Sequence, residues 1–249
     1  MGVVYQQNKG LVAAYKAEVI KWPKALVAPG KKDPEVTLAT LSGEEVERIL
    51  LKLDALALST QHEGIAKMVA EEMESILIAI RMVKTETKAE FAGLLGAGPA
   101  LDIEWLRAKE IGAAILDSAA AVATEGPWQN GIYSWLQAVI GGTADYIIDP
   151  QTISEEAGLI HLGAIDPIEV PKIGAVSFEI AGIPTPAQTC PFNLKRGFGT
   201  QALPFVRWEK PVIIGPETLH AIQCYPNITG DTKMQLLSFI IARAQDLTL

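Results

Sequence analysis

Between Leu203 and Leu249 the chain falls into three apolar runs separated by sharp breaks, and no other stretch restricts the fold as much. Leu203-Pro-Phe-Val-Arg-Trp-Glu-Lys-Pro-Val-Ile-Ile stops at Gly215-Pro216-Glu217. Leu219-His-Ala-Ile-Gln-Cys-Tyr stops at Pro226-Asn-Ile-Thr-Gly-Asp-Thr, and Met234-Gln-Leu-Leu-Ser-Phe-Ile-Ile-Ala follows. Each run is short, apolar and rich in branched and aromatic residues. The intervening Pro, Gly and Asn favour turn geometry, so the segment predicts strands of an all-β sandwich or barrel.

Proline divides the chain at the same place as the change in pattern. Met1 to Asp149 carries five prolines and Pro150 to Leu249 carries ten. Before the division apolar residues recur at helical spacing, and after it they fall into short or alternating runs. The expected fold class is therefore α+β, with a mainly helical domain over residues 1–149 followed by an antiparallel β-sandwich over 150–249. A chain of 249 residues has room for either one large or two modest hydrophobic cores.

In the first half, Ser42-Gly-Glu-Glu45 is a capping box, and Val46, Ile49, Leu50, Leu53 and Ala57 line one face of a helix to about Ser59. Ile65, Met68, Val69, Met73, Ile76, Leu77 and Ile80 predict a second helix of about five turns. Further helices are expected at Gly10–Ile20, Glu86–Leu95, Asp102–Thr124 and Trp128–Ile140, making a bundle. In the second half, strands are expected at Leu159–Ala164, Ile168–Pro171, Ala175–Ala181, near Gln188, at Leu203–Trp208, at Val212–Ile214 joined to Leu219–Tyr225, and at Met234–Ala242.

Charge follows the division too. Met1–Glu156 has 22 acidic and 14 basic residues, whereas Ala157–Leu249 has 7 of each, so the helical half carries the whole net charge of −8. A solvated acidic helix face is the ordinary source of such an excess. The balance disfavours direct nucleic-acid binding, which needs clustered Lys and Arg, and Lys31-Lys32 and Lys195-Arg196 are isolated pairs. The uncharged window Gly126–Ala144 is interrupted by Pro127, Gln129, Asn130 and glycines, so no membrane span is expected. Met1–Lys9 lacks the pattern of a secretory signal, and the sequon Asn227-Ile228-Thr229 then marks an exposed turn. Cys190 and Cys224 are too isolated for a disulfide framework or zinc cluster and read as buried thiols.

Known catalytic patterns fail on chemistry. His62-Glu63-Gly-Ile-Ala66 lacks the second imidazole of a zinc-protease helix, and Gly93-Leu-Leu-Gly96-Ala-Gly98 lacks the Lys-Ser/Thr of a phosphate loop. Ser134 has no second glycine of a nucleophile elbow. His220 lacks a His-x-His partner because position 222 is Ile. No catalytic, cofactor-binding or metal-ligating residue is assigned, no cofactor is expected, and the chain is not read as an enzyme. An apolar fraction of 49% suggests surface buried between subunits.

The strand Phe205-Val-Arg-Trp208, the Pro-led Pro211-Val-Ile-Ile214, the Gly-Pro-Glu turn, the alternating Leu219–Tyr225 and the apolar Met234–Ala242 together resemble single jelly-roll capsid proteins of viruses. The resemblance covers about the C-terminal hundred residues and rests on pattern, without a family-defining motif; the basic arm of many RNA-virus coat proteins is missing. It implies an eight-stranded jelly-roll body with an added helical domain and a self-assembling viral coat or similar shell. The implied partners are copies of itself and other shell proteins, and the implied location is the virion after cytoplasmic assembly. Trp208, Phe205, Phe192, Phe198 and Tyr225 are the aromatic residues to place first, in core or interface. The alternatives are a ligand-binding or metal-dependent β-barrel enzyme, in which His220, His161 and Glu217 would converge, and a non-viral adhesion or interaction module.

Overall fold

A computed structural model describes residues 2–12, 15–16, 18–21, 35–92, 98–106, 134–166, 168, 170–192 and 205–247. Its helices are α1 (Val3–Asn8), α2 (Gly43–Ser59), α3 (Glu63–Glu71) and α4 (Met73–Thr87). Its strands are β1 (Glu18–Lys21), β2 (Glu35–Leu38), β3 (Leu101–Trp105), β4 (Ser134–Val139), β5 (Asp145–Thr152), β6 (Gly158–Ile165), β7 (Ile173–Ile180), β8 (Ile183–Pro184), β9 (Gln188–Thr189), β10 (Phe205–Ile214), β11 (Leu219–Pro226) and β12 (Gly230–Arg243). The fold is α+β, and its strand ladders are antiparallel.

The capping box forms as expected. Glu45 N donates to Ser42 Oγ at 3.1 Å, and Ser42 N donates to the Glu45 carboxylate at 2.9 Å, so two donors that α2 cannot satisfy internally are used at its start. The second helical run is divided: Glu72, at φ −96° and ψ 16°, separates α3 from α4. Ile65, Met68 and Val69 of α3 and Met73, Ile76, Leu77 and Ile80 of α4 still enter one buried cluster, so the break bends the helix without turning its apolar face away.

Strand β12 organises the rest. One of its edges pairs with β4 over Gly230–Gln235 and with β3 over Phe239–Arg243, while the other pairs with β6. With β10 beyond β6, these form one five-stranded sheet; β5, β11, β7 and the short β8 and β9 form a second, and β1 pairs with β2 apart from both. Alternation gives the central sheet two buried faces. Leu237, Phe239 and Ile241 join the helices in one cluster, whereas Leu236, Ile240 and Ala242 join Val176, Phe178, Ile222 and Cys224 of the second sheet in another. The described residues thus stack as helices, central sheet and second sheet. Trp105 stacks on Phe239 with centroids 4.2 Å apart and donates its indole N–H to Leu56 O at 3.0 Å, joining α2, β3 and β12.

Several expectations are corrected. Leu101–Trp105 is a strand where a helix from Asp102 was expected, and Ser134–Val139 is a strand within the expected Trp128–Ile140 helix. Both pair with β12, and that long-range pairing overrides local helical spacing. Residues 107–124 and 128–133 lie outside the described residues. The Gly10–Ile20 helix is replaced by a turn at Lys9–Leu11, a bridge from Tyr15 to Leu41, and β1. The Glu86–Leu95 helix is cut short because α4 ends at Lys88, whose φ is +56°; residues 93–95 lie outside the description. Ile168 and Val170 sit in bends instead of a strand, with Ile168 N donating to the Asp166 carboxylate at 2.9 Å. Val212–Ile214 continues β10 and is not joined to β11. The division at 149/150 falls within β5, and β3 and β4 precede it.

Gly163 marks a close approach. A Cβ there would lie 2.2 Å from Val206 O, a backbone atom of β10 that cannot swing aside. Gly163→Ala is expected to lower stability by roughly 3 kcal/mol, measured as a shift of the urea midpoint, because β10 must move off β6. Lys88→Gly is expected to do the reverse: it relieves the left-handed C-cap of α4 and raises stability by about 0.5–1 kcal/mol in the same assay.

Candidate functional site

The same alternation that builds the two-sheet core sends His161 of β6 and His220 of β11 toward each other across it. Leu159 on β6 and Ile222 and Cys224 on β11 belong to that core and share the parity of the histidines. The two rings, 59 positions apart in sequence, meet with Nε2 atoms 3.1 Å apart. Both are fully buried. His161 Nδ1 lies 2.7 Å from Oγ of Ser238, its partner in the β6–β12 ladder. His220 Nδ1 lies 3.4 Å from the Glu179 carbonyl oxygen of β7.

One end of this chain sets every proton in it. A carbonyl only accepts, so His220 carries its proton on Nδ1 and leaves Nε2 bare. His161 then donates from Nε2 and accepts the Ser238 hydroxyl at Nδ1. The series Ser238 to His161 to His220 to Glu179 O satisfies all four imidazole nitrogens with both rings neutral, and it spans the sheets from β12 to β7.

The surroundings enforce neutrality. Phe178 stacks on His161 at 5.3 Å between centroids, and Trp208 meets Phe178 edge-on at 5.7 Å. Burial pushes His161 well below the usual histidine range, and the adjacent His220 adds to the depression. Burial lowers His220 to about 4, against a smaller upward pull from the Glu179 carbonyl. Ser238 and His161 have the contact of a nucleophile and its base, but both are wholly enclosed, and such a pair acts only on a substrate that reaches the hydroxyl. In this arrangement the chain of hydrogen bonds fixes one sheet against the other.

His161 and His220 therefore converge, whereas Glu217 is exposed on the turn between β10 and β11 and stays apart from them. His62 caps α3 by accepting from Ile65 N at 3.4 Å. Ser134 begins β4. Trp208 and Phe192 are core, Phe205 is half-buried against His62, and Tyr225 is exposed with its hydroxyl bonded to Gln223 and Ser177. Phe198, Lys31-Lys32, Lys195-Arg196 and residues 93–97 lie outside the described residues. Sequence spacing could not pair the histidines, because their meeting depends on which strand faces which. Their shared alternation with core residues, Leu159/His161 and His220/Ile222, is the signal that marks both as inward-facing.

A second feature lies at one end of the sheets. Gly141 N donates to Thr229 Oγ1 at 3.0 Å, Gly142 N to Pro226 O at 2.8 Å, and Asn227 N to Lys172 O at 2.8 Å, so three loops meet there. They leave Ile140 64%, Val170 47% and Ile228 44% exposed. A cleft of about 300 Å³ lies among Pro171, Ile173, Cys190, Asn227 and Ile228. Burial pushes the Cys190 thiol up to about 12, so it is protonated and unreactive at neutral pH.

No family model matches the chain, and no curated protein matches it. Among solved structures it is similar to dimeric latent PorU from Porphyromonas gingivalis at 13% identity and a TM-score of 0.25, over 57% of this chain and 12% of that one. The chain thus spans about an eighth of that protein's length. No described helix is long and apolar enough to cross a membrane.

Ser238→Ala is expected to leave His161 Nδ1 without its donor inside the core and to lower stability by about 1–3 kcal/mol at pH 7.5. Ser238→Cys, which keeps a weak donor, is expected to fall between the two in the same urea titration.

Proposed function

We propose that this chain is a structural protein that assembles with copies of itself into a viral capsid or similar shell, with a jelly-roll body and an added helical layer. The observation that carries the reading is the order of strand pairing. β4 pairs with β12, β5 with β11, β6 with β10, and β7 with β8 and β9. These pairs are nested, as in one long antiparallel ribbon folded back on itself. The additional pairings of β12 with β6 and β11 with β7 gather these nested pairs into two sheets, an order that supports the jelly-roll reading.

The distribution of surface supports assembly through loops in preference to strand addition. β5 carries Pro150 and two aspartates, β10 is interrupted at Glu209-Lys210-Pro211 by a register shift, and β8 has two residues. Proline, charge, irregularity and shortness all discourage an outside strand from pairing with an edge. Ile140, Val170 and Ile228 are exposed instead on or beside three loops that hydrogen bonds join, and exposed apolar side chains on loops are suited to a protein partner. Repetition of one modest contact by symmetry is sufficient to close a shell.

Light scattering and electron microscopy of the purified protein are expected to reveal closed particles or symmetric capsomers. Ile140→Lys combined with Ile228→Lys is expected to shift the population to monomer, with folding stability within about 0.5 kcal/mol per site of the parent. A parent protein that stays monomeric at micromolar concentration would count decisively against the reading.

A further inference from the structure

We propose that the His161–His220 bridge is a pH latch, which holds the two sheets together while both rings are neutral and releases them when either takes up a proton. The inference rests on the geometry of the two-sheet core and stands apart from the shell reading. In the neutral chain each imidazole nitrogen has a matched partner: a hydroxyl proton on His161 Nδ1, a shared proton between the Nε2 atoms at 3.1 Å, and the Glu179 carbonyl at His220 Nδ1. A further proton on His220 must go to Nε2, where it meets the N–H of His161. On His161 it must go to Nδ1, where it displaces the Ser238 hydroxyl proton. Either event sets donor against donor or forces the serine to turn, and it leaves a cation with no contact to water.

Among the described residues, no charged side chain is seen beside the pair to stabilise that cation. On β11, Cys224 shares the inner face of the core, and burial pushes its thiol up to about 12, so it is neutral. On β7, Phe178 faces inward and Glu179 presents only its carbonyl to the pair, its side chain alternating to the other face. On β5, the residue paired with His220 is the uncharged Gln151, and Asp145, Tyr146 and Asp149 are half-buried. On β10, Val212 pairs with His161, while Arg207, Glu209 and Lys210 are exposed. On β12, Ser238 is the neighbour, with Asp231, Lys233 and Arg243 toward the strand's ends, and Glu217 is exposed on the adjoining turn. Burial and the companion ring therefore dominate both histidines, and both are held below the value of an unfolded chain.

The sign follows from that depression. A histidine in the unfolded chain gains its proton near pH 6.5, whereas in the folded protein it does so only at lower pH, near 4 for His220. Stability is then complete above about pH 6.5 and is lost as pH falls toward the folded value, because the unfolded state binds more protons. With two such groups, the unfolding constant is expected to rise roughly a thousandfold between pH 7.5 and 5.0.

The test uses His62→Ser as background, which removes the third histidine and keeps a capping side chain at the start of α3. Urea unfolding at pH 7.5, 6.5, 5.5 and 5.0 is compared in this background with and without His161→Leu plus His220→Leu. Loss of most of the acid sensitivity in the leucine variant supports the latch, and its full retention overturns it. If the leucine variant does not fold, imidazole nitrogen NMR of the unaltered protein decides. The expected spectrum at pH 5.5 has two neutral rings, protonated at Nε2 in one and Nδ1 in the other. Reversible titration of both rings near pH 6.5 in the folded state would overturn the proposal.

Discussion

The two-sided burial of β12 is the constraint on which the structure depends. From Met234 to Ala242 every residue of this strand is buried, with alternate side chains entering the helical cluster and the inter-sheet cluster. A strand covered on both faces cannot slip by one residue without exchanging the contents of two cores, so its register is fixed from both sides. Its neighbour β6 is also buried throughout, and its extra residue, Leu162, lies between His161 and Gly163 opposite the Leu237/Ser238 register shift. That irregularity lets Leu162 face the helices while Ala164 faces the second sheet. It also leaves His161 opposite Ser238, so the polar chain in the core is a consequence of how the two central strands pair.

Much of this was legible in the sequence where local chemistry and final environment agree. The capping box at Ser42 needs only neighbours three residues apart, and the run of β12 from Met234 to Ala242 reads as a strand because it is apolar apart from Gln235 and Ser238. The expectation of a helix from Asp102 failed for a readable reason. Leu101-Asp-Ile-Glu-Trp alternates in the manner of a strand, but Asp102 also suits a helix cap, and the choice was settled by pairing with Ala242 and its neighbours about 140 positions away. Glu72 was hidden in another way, since a bend that preserves the apolar face leaves helical periodicity intact. The histidine pair needed topology: each residue alone is an ordinary inward-facing strand side chain.

The charge asymmetry also takes on a different meaning in three dimensions. Several carboxylates of the acidic half are occupied by bases that hold the layers together. Glu71 and Glu72, at the α3–α4 bend, both receive Arg207 of β10. Glu156 receives Arg243 of β12, and Lys52 of α2 reaches Asp102 and Glu104 on β3. These pairs cross between helices, loops and strands at separate points of the sheet. They add direction to the attachment of the helical layer, while the shared apolar cluster supplies most of its free energy.

Apolar clusters alone leave the relative placement of two sheets weakly defined, because leucine, isoleucine and valine side chains make acceptable contacts over a range of offsets. A buried hydrogen-bond chain is less permissive. The Ser238, His161, His220 and Glu179 groups come from four strands in two sheets, and an offset of a single residue would bury several of them without partners at about 1–3 kcal/mol each. The gain in stability from making the chain is small compared with the penalty for making it incorrectly. The polar core therefore acts mainly against misregistered packings, and the aromatic ladder from Trp208 through Phe178 to the two imidazoles gives that selection a rigid frame.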